Sequence, residues 1–131
     1  MKNFNQLVTG DTLYHIMIDW NESYDSNKLV YSVDELTVKY DPFYTHTSSH
    51  LSIPCESAPH SVMIPFESSM KSTSHSDREL YITDMSLLKN FLIDFCYEEI
   101  HKAEDKVEEY KKLASNWQEE IDSFNNFKAS L

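Results

Sequence analysis

The sequence predicts an α+β chain: a small antiparallel β-barrel followed by one long C-terminal α-helix that forms a coiled coil. Three observations carry this. Residues 1–43 hold two runs of β-branched and aromatic residues, "DTLYHIMID" and "KLVYSVDELTVKYDPF". Residues 83–127 contain neither Gly nor Pro. Within them apolar residues recur at heptad spacing. The expected domains are a barrel over 1–83, with a Ser/His/Pro-rich insertion at about 44–78, and an oligomerising helix over 84–131.

The first strand is expected at 11–19. Leu13, His15 and Met17 alternate there with Tyr14, Ile16 and Ile18, so both faces carry apolar groups and the strand is expected to be largely buried. The chain's one glycine, Gly10, precedes it. A glycine here suits a positive φ, which costs no Cβ clash, and Asp11 can fix the turn through its side chain. "NESYDSN" (21–27) reads as a turn, and 28–43 as a second strand divided by a bulge or turn at Asp34-Glu35. The aromatics Tyr24, Tyr31, Tyr40, Phe43 and Tyr44 are expected mostly in core or cross-strand pairs.

The middle segment has two short candidate strands, "HLSI" (50–53) and "SVMIPF" (61–66). "ESSMKSTSHSD" (67–77) follows, with the composition of an exposed, mobile loop. "ELYIT" (79–83) reads as the closing strand. Thr83 or Asp84 can cap the helix that begins there.

Leu87 to Tyr97 is apolar almost all round, so that segment calls for cover on several sides, with Cys96 as a small core residue. From Ile100 the pattern narrows to one seam. Ile100, Ala103, Val107, Tyr110, Ala114, Trp117, Ile121 and Phe124 follow a 3-4 spacing, that of a coiled-coil interface. Glu98–Lys102 and Glu108–Lys112 are favourable i,i+4 pairs beside it. Ser115 and Gln118 form a capping-box pattern, so a break near Ala114 and an intramolecular hairpin is the alternative, as is docking on the chain's own domain. Tyr110, Trp117 and Phe124 are bulky for a tight two-stranded zipper. They suit a wider bundle, an antiparallel arrangement or a surface awaiting a partner.

"LVTGDTLYHI", "KLVYSVDELTVKY" and "ELYITDMSLLKNFL" running into a charged heptad helix resemble small phage-encoded proteins. Those proteins pair an N-terminal SH3-like barrel with a C-terminal coiled-coil helix. The resemblance covers most of the chain outside 44–78. It implies the architecture and a viral origin, and no shared activity or site residues.

The net charge of −11, with 22 acidic and 11 basic residues, argues against direct nucleic-acid binding and against an anionic membrane surface. The two cysteines, Cys55 and Cys96, are not spaced as a disulfide or metal motif. "MKNFNQLVTGD" has no apolar signal region, so a cytoplasmic location is expected, in a bacterial host if the chain is phage-encoded. His46, His50, Cys55 and His60 form the one candidate metal cluster, because His and Cys are good zinc ligands. Their spacing matches no finger or ribbon. No nucleophile elbow or phosphate loop is present, and neither catalysis nor a cofactor is expected. The expected function is a non-catalytic, homo-oligomeric binding protein, an acidic inhibitor or sequestering factor against a host defence protein. A virion or scaffold component and an oligomeric small-ligand sponge are the alternatives.

Overall fold

In a computed structural model the chain is described over residues 1–131 except 24, 25, 57–60, 77 and 78. At 20–23 and 26–29 only the backbone is described. The architecture is α+β, two antiparallel sheets and one long C-terminal helix. The first sheet has strand order β2-β1-β7-β6, from β1 (Thr12–Ser23), β2 (Ser26–Thr37), β6 (Thr73–His75) and β7 (Leu80–Ile82). The second is β3-β4-β5, from β3 (Phe43–Tyr44), β4 (His50–Ile53) and β5 (Val62–Pro65). Helix α1 spans Leu88–Ser130. The chain divides into two compact units, Met1–Phe91 and Leu92–Leu131.

Strand pairing explains the burial in the first unit. Successive residues of a strand face opposite sides of the sheet. On one face Leu13 lies level with Leu36, and His15 with Tyr81. That face packs on Leu51, Ile53, Val62 and Ile64 of the second sheet. On the other face Ile16 lies level with Val33 and Leu80, and Leu80 with His75. The Phe91 ring, in the first turn of α1, meets His75 edge-on at 6.1 Å and covers this side. Ile16, Leu80, Ile82 and Phe91 are all buried. Of residues 11–19, expected to be largely buried, only Leu13 and Ile16 are buried, one from each face, while Met17 and Asp19 are exposed.

The two sheets meet at an isolated bridge, Val38–Cys55. Backbone bonds Lys39 N–H to Pro54 O (2.8 Å) and Glu56 N–H to Thr37 O (2.9 Å) flank it. Closure into one barrel is not observed among the described residues.

Gly10 adopts φ +93°, and a Cβ added there would meet nothing within 4 Å. Gly10 N–H donates to Val38 O at 2.8 Å. The carboxylate of Asp11 accepts from Val8 N–H at 2.9 Å and from Lys2 Nζ at 2.7 Å. Gly10→Ala is therefore expected to cost about 1–2 kcal/mol through backbone strain alone, read as a lower urea midpoint. The Lys2 ammonium and the Val8 N–H hold the Asp11 carboxyl below its ordinary value. A depressed folded-state value stabilises the fold above the unfolded-state value, about 3.9, and the gain is lost as pH falls through the folded value. Asp11→Asn is thus expected to destabilise by about 1 kcal/mol at pH 7, and the difference from wild type should shrink towards pH 3 in parallel urea titrations.

Several expectations are corrected. Residues 21–23 and 26–27, read as turn, are strand, because β1 and β2 form a twelve-residue ladder ending at Ser23–Ser26; residues 24 and 25 lie outside the described set. That ladder runs through Asp34 and Glu35 without a bulge. β2 stops at Thr37, where the chain turns to bond with 54–56. Segment 67–77, expected as an exposed loop, holds the end of the 3-10 turn Phe66–Ser68 and strand β6, with Ser69 and Ser74 buried; residue 77 lies outside the described residues. β7 is an inner strand between β1 and β6. Tyr31, Tyr40, Phe43 and Tyr44 are exposed rather than in the core, but Tyr31, Phe43 and Tyr44 do stand in cross-strand pairs, with Ile18, Ser52 and Leu51; Tyr24 lies outside the described residues.

Candidate interaction surface

α1 begins where the sequence offers a cap. Asp84 is extended and its Oδ1 accepts from Ser86 N–H at 2.8 Å, which satisfies a first-turn donor of the 3-10 turn Met85–Leu87. The helix then continues through Ala114 and Ser115 to Ser130, about 65 Å at 1.5 Å per residue. No break forms near Ala114, so the hairpin alternative is not adopted. No helix is long and apolar enough to cross a membrane among the described residues.

None of the residues from Leu92 to Leu131 is buried. The eight seam residues from Ile100 to Phe124 are all exposed, Tyr110 at 68% and Trp117 at 66%. The seam also starts earlier than the periodicity from Ile100 implies. Ile93 and Cys96 continue the same 3-4 spacing upstream and are exposed, and Leu113 and Phe127 flank it. Cys96 is therefore a surface thiol and not a core residue, and Tyr97 is likewise exposed. An open groove lies along Ile100, Ala103 and Val107, rimmed by Glu104, Glu108 and Lys111. Ion pairs beside it include Glu99–Lys102 at 3.2 Å and Glu108–Lys111 at 3.6 Å, both i,i+3. A contiguous apolar stripe of this length is far more than scattered surface hydrophobics. A helix's stability in water comes mainly from covering its apolar face.

The candidate metal residues do not converge. His46 is exposed. His50 is half-buried, with Nδ1 2.9 Å from Ser49 Oγ. Cys55 is buried in the core between the sheets, its thiol donating weakly to Ile53 O at 3.5 Å, and burial raises its pKa. His60 lies outside the described residues. Among the described residues no three His, Cys, Asp or Glu side chains gather as a metal site.

One polar cluster is not legible in the sequence. Strand register sets Asp34, His15, Tyr81 and Ser74 in one row across the first sheet. The His15 and Tyr81 rings stack at 4.8 Å. Tyr81 donates its hydroxyl to Glu79 Oε2 at 2.9 Å. His15 Nε2 lies 3.0 Å from the same oxygen, close enough for an ion pair but without hydrogen-bond alignment. Burial, then the Glu79 carboxylate, raises the Tyr81 phenol above its ordinary value. The phenol thus stays protonated and acts as a donor that fixes Glu79.

Comparison of the chain with protein-family models, with curated proteins and with solved structures finds no match.

Proposed function

We propose that this protein is a non-catalytic binding protein that self-assembles through α1 and presents its β units to a protein partner. The observation that carries this reading is the exposed heptad seam, an apolar stripe with no partner segment inside the helical unit. The β unit is read as an SH3-like barrel, a reading supported by the bonds that tie residues 37–39 to 54–56. The net charge of −11 favours a partner with a basic surface over nucleic acid. The resemblance to small phage-encoded proteins supports a partner in a bacterial host, where sequestering a defence protein is the simplest use of such a surface.

Val107→Glu tests both parts. A carboxylate on the seam is expected to shift the sedimentation coefficient to that of a monomer. It should also weaken capture of a basic host protein on a surface bearing the variant, because two-point attachment is lost. Capture by the wild type should fall steeply between low and high salt. A surface that stays empty at low salt contradicts the binding reading. An unchanged sedimentation coefficient contradicts the seam's role.

A further inference from the structure

We infer that the occupant of the α1 seam is a second copy of this chain, and that the two helices pair antiparallel, centred on Lys112. The inference rests on the self-assembly proposed above and fixes its direction and register.

Side-chain size decides the direction. Along the seam the smaller residues Ala103, Val107 and Ala114 gather towards the N-terminal half, and the larger Tyr110, Trp117, Ile121 and Phe124 towards the C-terminal half. Parallel, in-register helices set each residue on its own copy. Ala103 would meet Ala103 and Ala114 would meet Ala114, leaving voids, while Tyr110 and Trp117 would each meet themselves and force the axes apart. One straight pair of helices cannot satisfy both spacings. Antiparallel pairing centred on Lys112 brings Tyr110 level with Ala114 of the second copy and Trp117 level with Val107. It also brings Ile121 level with Ala103, and Phe124 level with Ile100. Each layer then joins a larger to a smaller residue, and no aromatic meets another.

Charge gives the same answer. In a parallel pair the flanking positions would set Glu99 against Glu104 and Lys106 against Lys111, both repulsive. In the antiparallel pair Lys106 faces Glu120 twice, by symmetry, and the exposed Leu113 meets its own copy at the two-fold axis. Lys111 also meets its copy across that axis, so the antiparallel pair carries one like-charge contact beside two opposite-charge ones, where the parallel pair carries four like-charge contacts. Sliding one heptad in one direction sets Ala103 against Ala114 and Glu99 against Glu120. Sliding the other way separates Lys106 from Glu120 and sets it beside Phe127.

The native Cys96 reads the direction. It is exposed, whereas Cys55 is buried. In a parallel pair Cys96 would lie against its own copy, within disulfide reach of about 7 Å between Cα atoms. In the antiparallel pair the two Cys96 residues stand about 48 Å apart along the axis, each level with Lys128 of the other copy. The test is mild oxidation of the full chain, followed by non-reducing electrophoresis and mapping of linked peptides. Wild type is expected to give no covalent dimer. Lys128→Cys is expected to give a dimer linked between Cys96 and the introduced thiol, and Lys128→Cys with Cys96→Ser to lose it. A Cys96–Cys96 dimer in the wild type overturns the antiparallel pairing. An unlinked Lys128→Cys variant that still sediments as a dimer overturns the register. A monomer before oxidation overturns the self-assembly on which both depend. Lys106→Glu adds a sign test: it should raise the dimer Kd about fivefold and Glu120→Lys should restore it, whereas in a parallel pair it would tighten binding.

Discussion

Trp117→Glu is expected to dissociate the protein to monomers while leaving the β unit folded. Trp117 is two-thirds exposed on α1, and in the proposed pair it fills the space beside Val107 of the other copy. Aromatic anchors of this kind cost about 2 kcal/mol or more when removed, and a symmetric dimer loses two of them. The expected loss is about 4 kcal/mol, a rise in Kd of about a thousandfold. Without its partner α1 exposes its apolar stripe to water and should lose helix content, read as weaker ellipticity at 222 nm. The wild-type helix should melt at a temperature that rises with protein concentration, because association stabilises it by mass action; the variant's should not. Amide resonances of β1, β4 and β7 should stay dispersed, because the unit Met1–Phe91 has a core of its own. A variant with unchanged mass and melting would mean that Trp117 faces no partner.

Phe4→Ala is expected to destabilise the β unit by about 3–5 kcal/mol, a large share of a small domain's stability. Phe4 sits in a 3-10 turn and is fully buried, in the cluster with Leu7, Leu13, Val38, Ile53 and Tyr81. Its N–H donates to Lys71 O at 2.9 Å and Asn5 N–H to Ser69 O at 2.9 Å, so the turn is stitched to the segment between β5 and β6. Gln6 caps the turn by accepting from Asn3 N–H at 2.9 Å. Truncating the ring leaves a cavity that these bonds prevent from collapsing. Urea unfolding followed by near-ultraviolet dichroism gives the number. A loss below about 1 kcal/mol would show that the turn is not part of the core.

These two residues mark what the sequence could reveal and what it could not. Trp117 was legible because helical periodicity is local: a heptad is enough to set a face. The helix, its Asp84 cap and the seam from Ile100 to Phe124 all follow from such short-range patterns, as does the positive φ of Gly10. Phe4 was not legible. "NFNQ" has no periodicity, and its burial depends on Lys71 and Ser69, far along the chain. β6 was hidden for the same reason. "TSH" has a loop composition, and it becomes a strand only because β7 offers an unpaired edge. The His15–Tyr81–Glu79 cluster likewise needs a register between β1 and β7 that no local pattern specifies. Cys96 and Tyr97 erred in the opposite direction. Their apolar surroundings suggested a core, but in α1 only Phe91 is buried. Residues that look like core without a core to enter are the surface on which the assembly is proposed.

The most direct measurement of that assembly is a native mass spectrum of the unmodified protein over a range of concentrations. A species at twice the 15.4 kDa chain mass, giving way to monomer only on dilution, is the predicted result. A bare 15.4 kDa monomer at every concentration would contradict it.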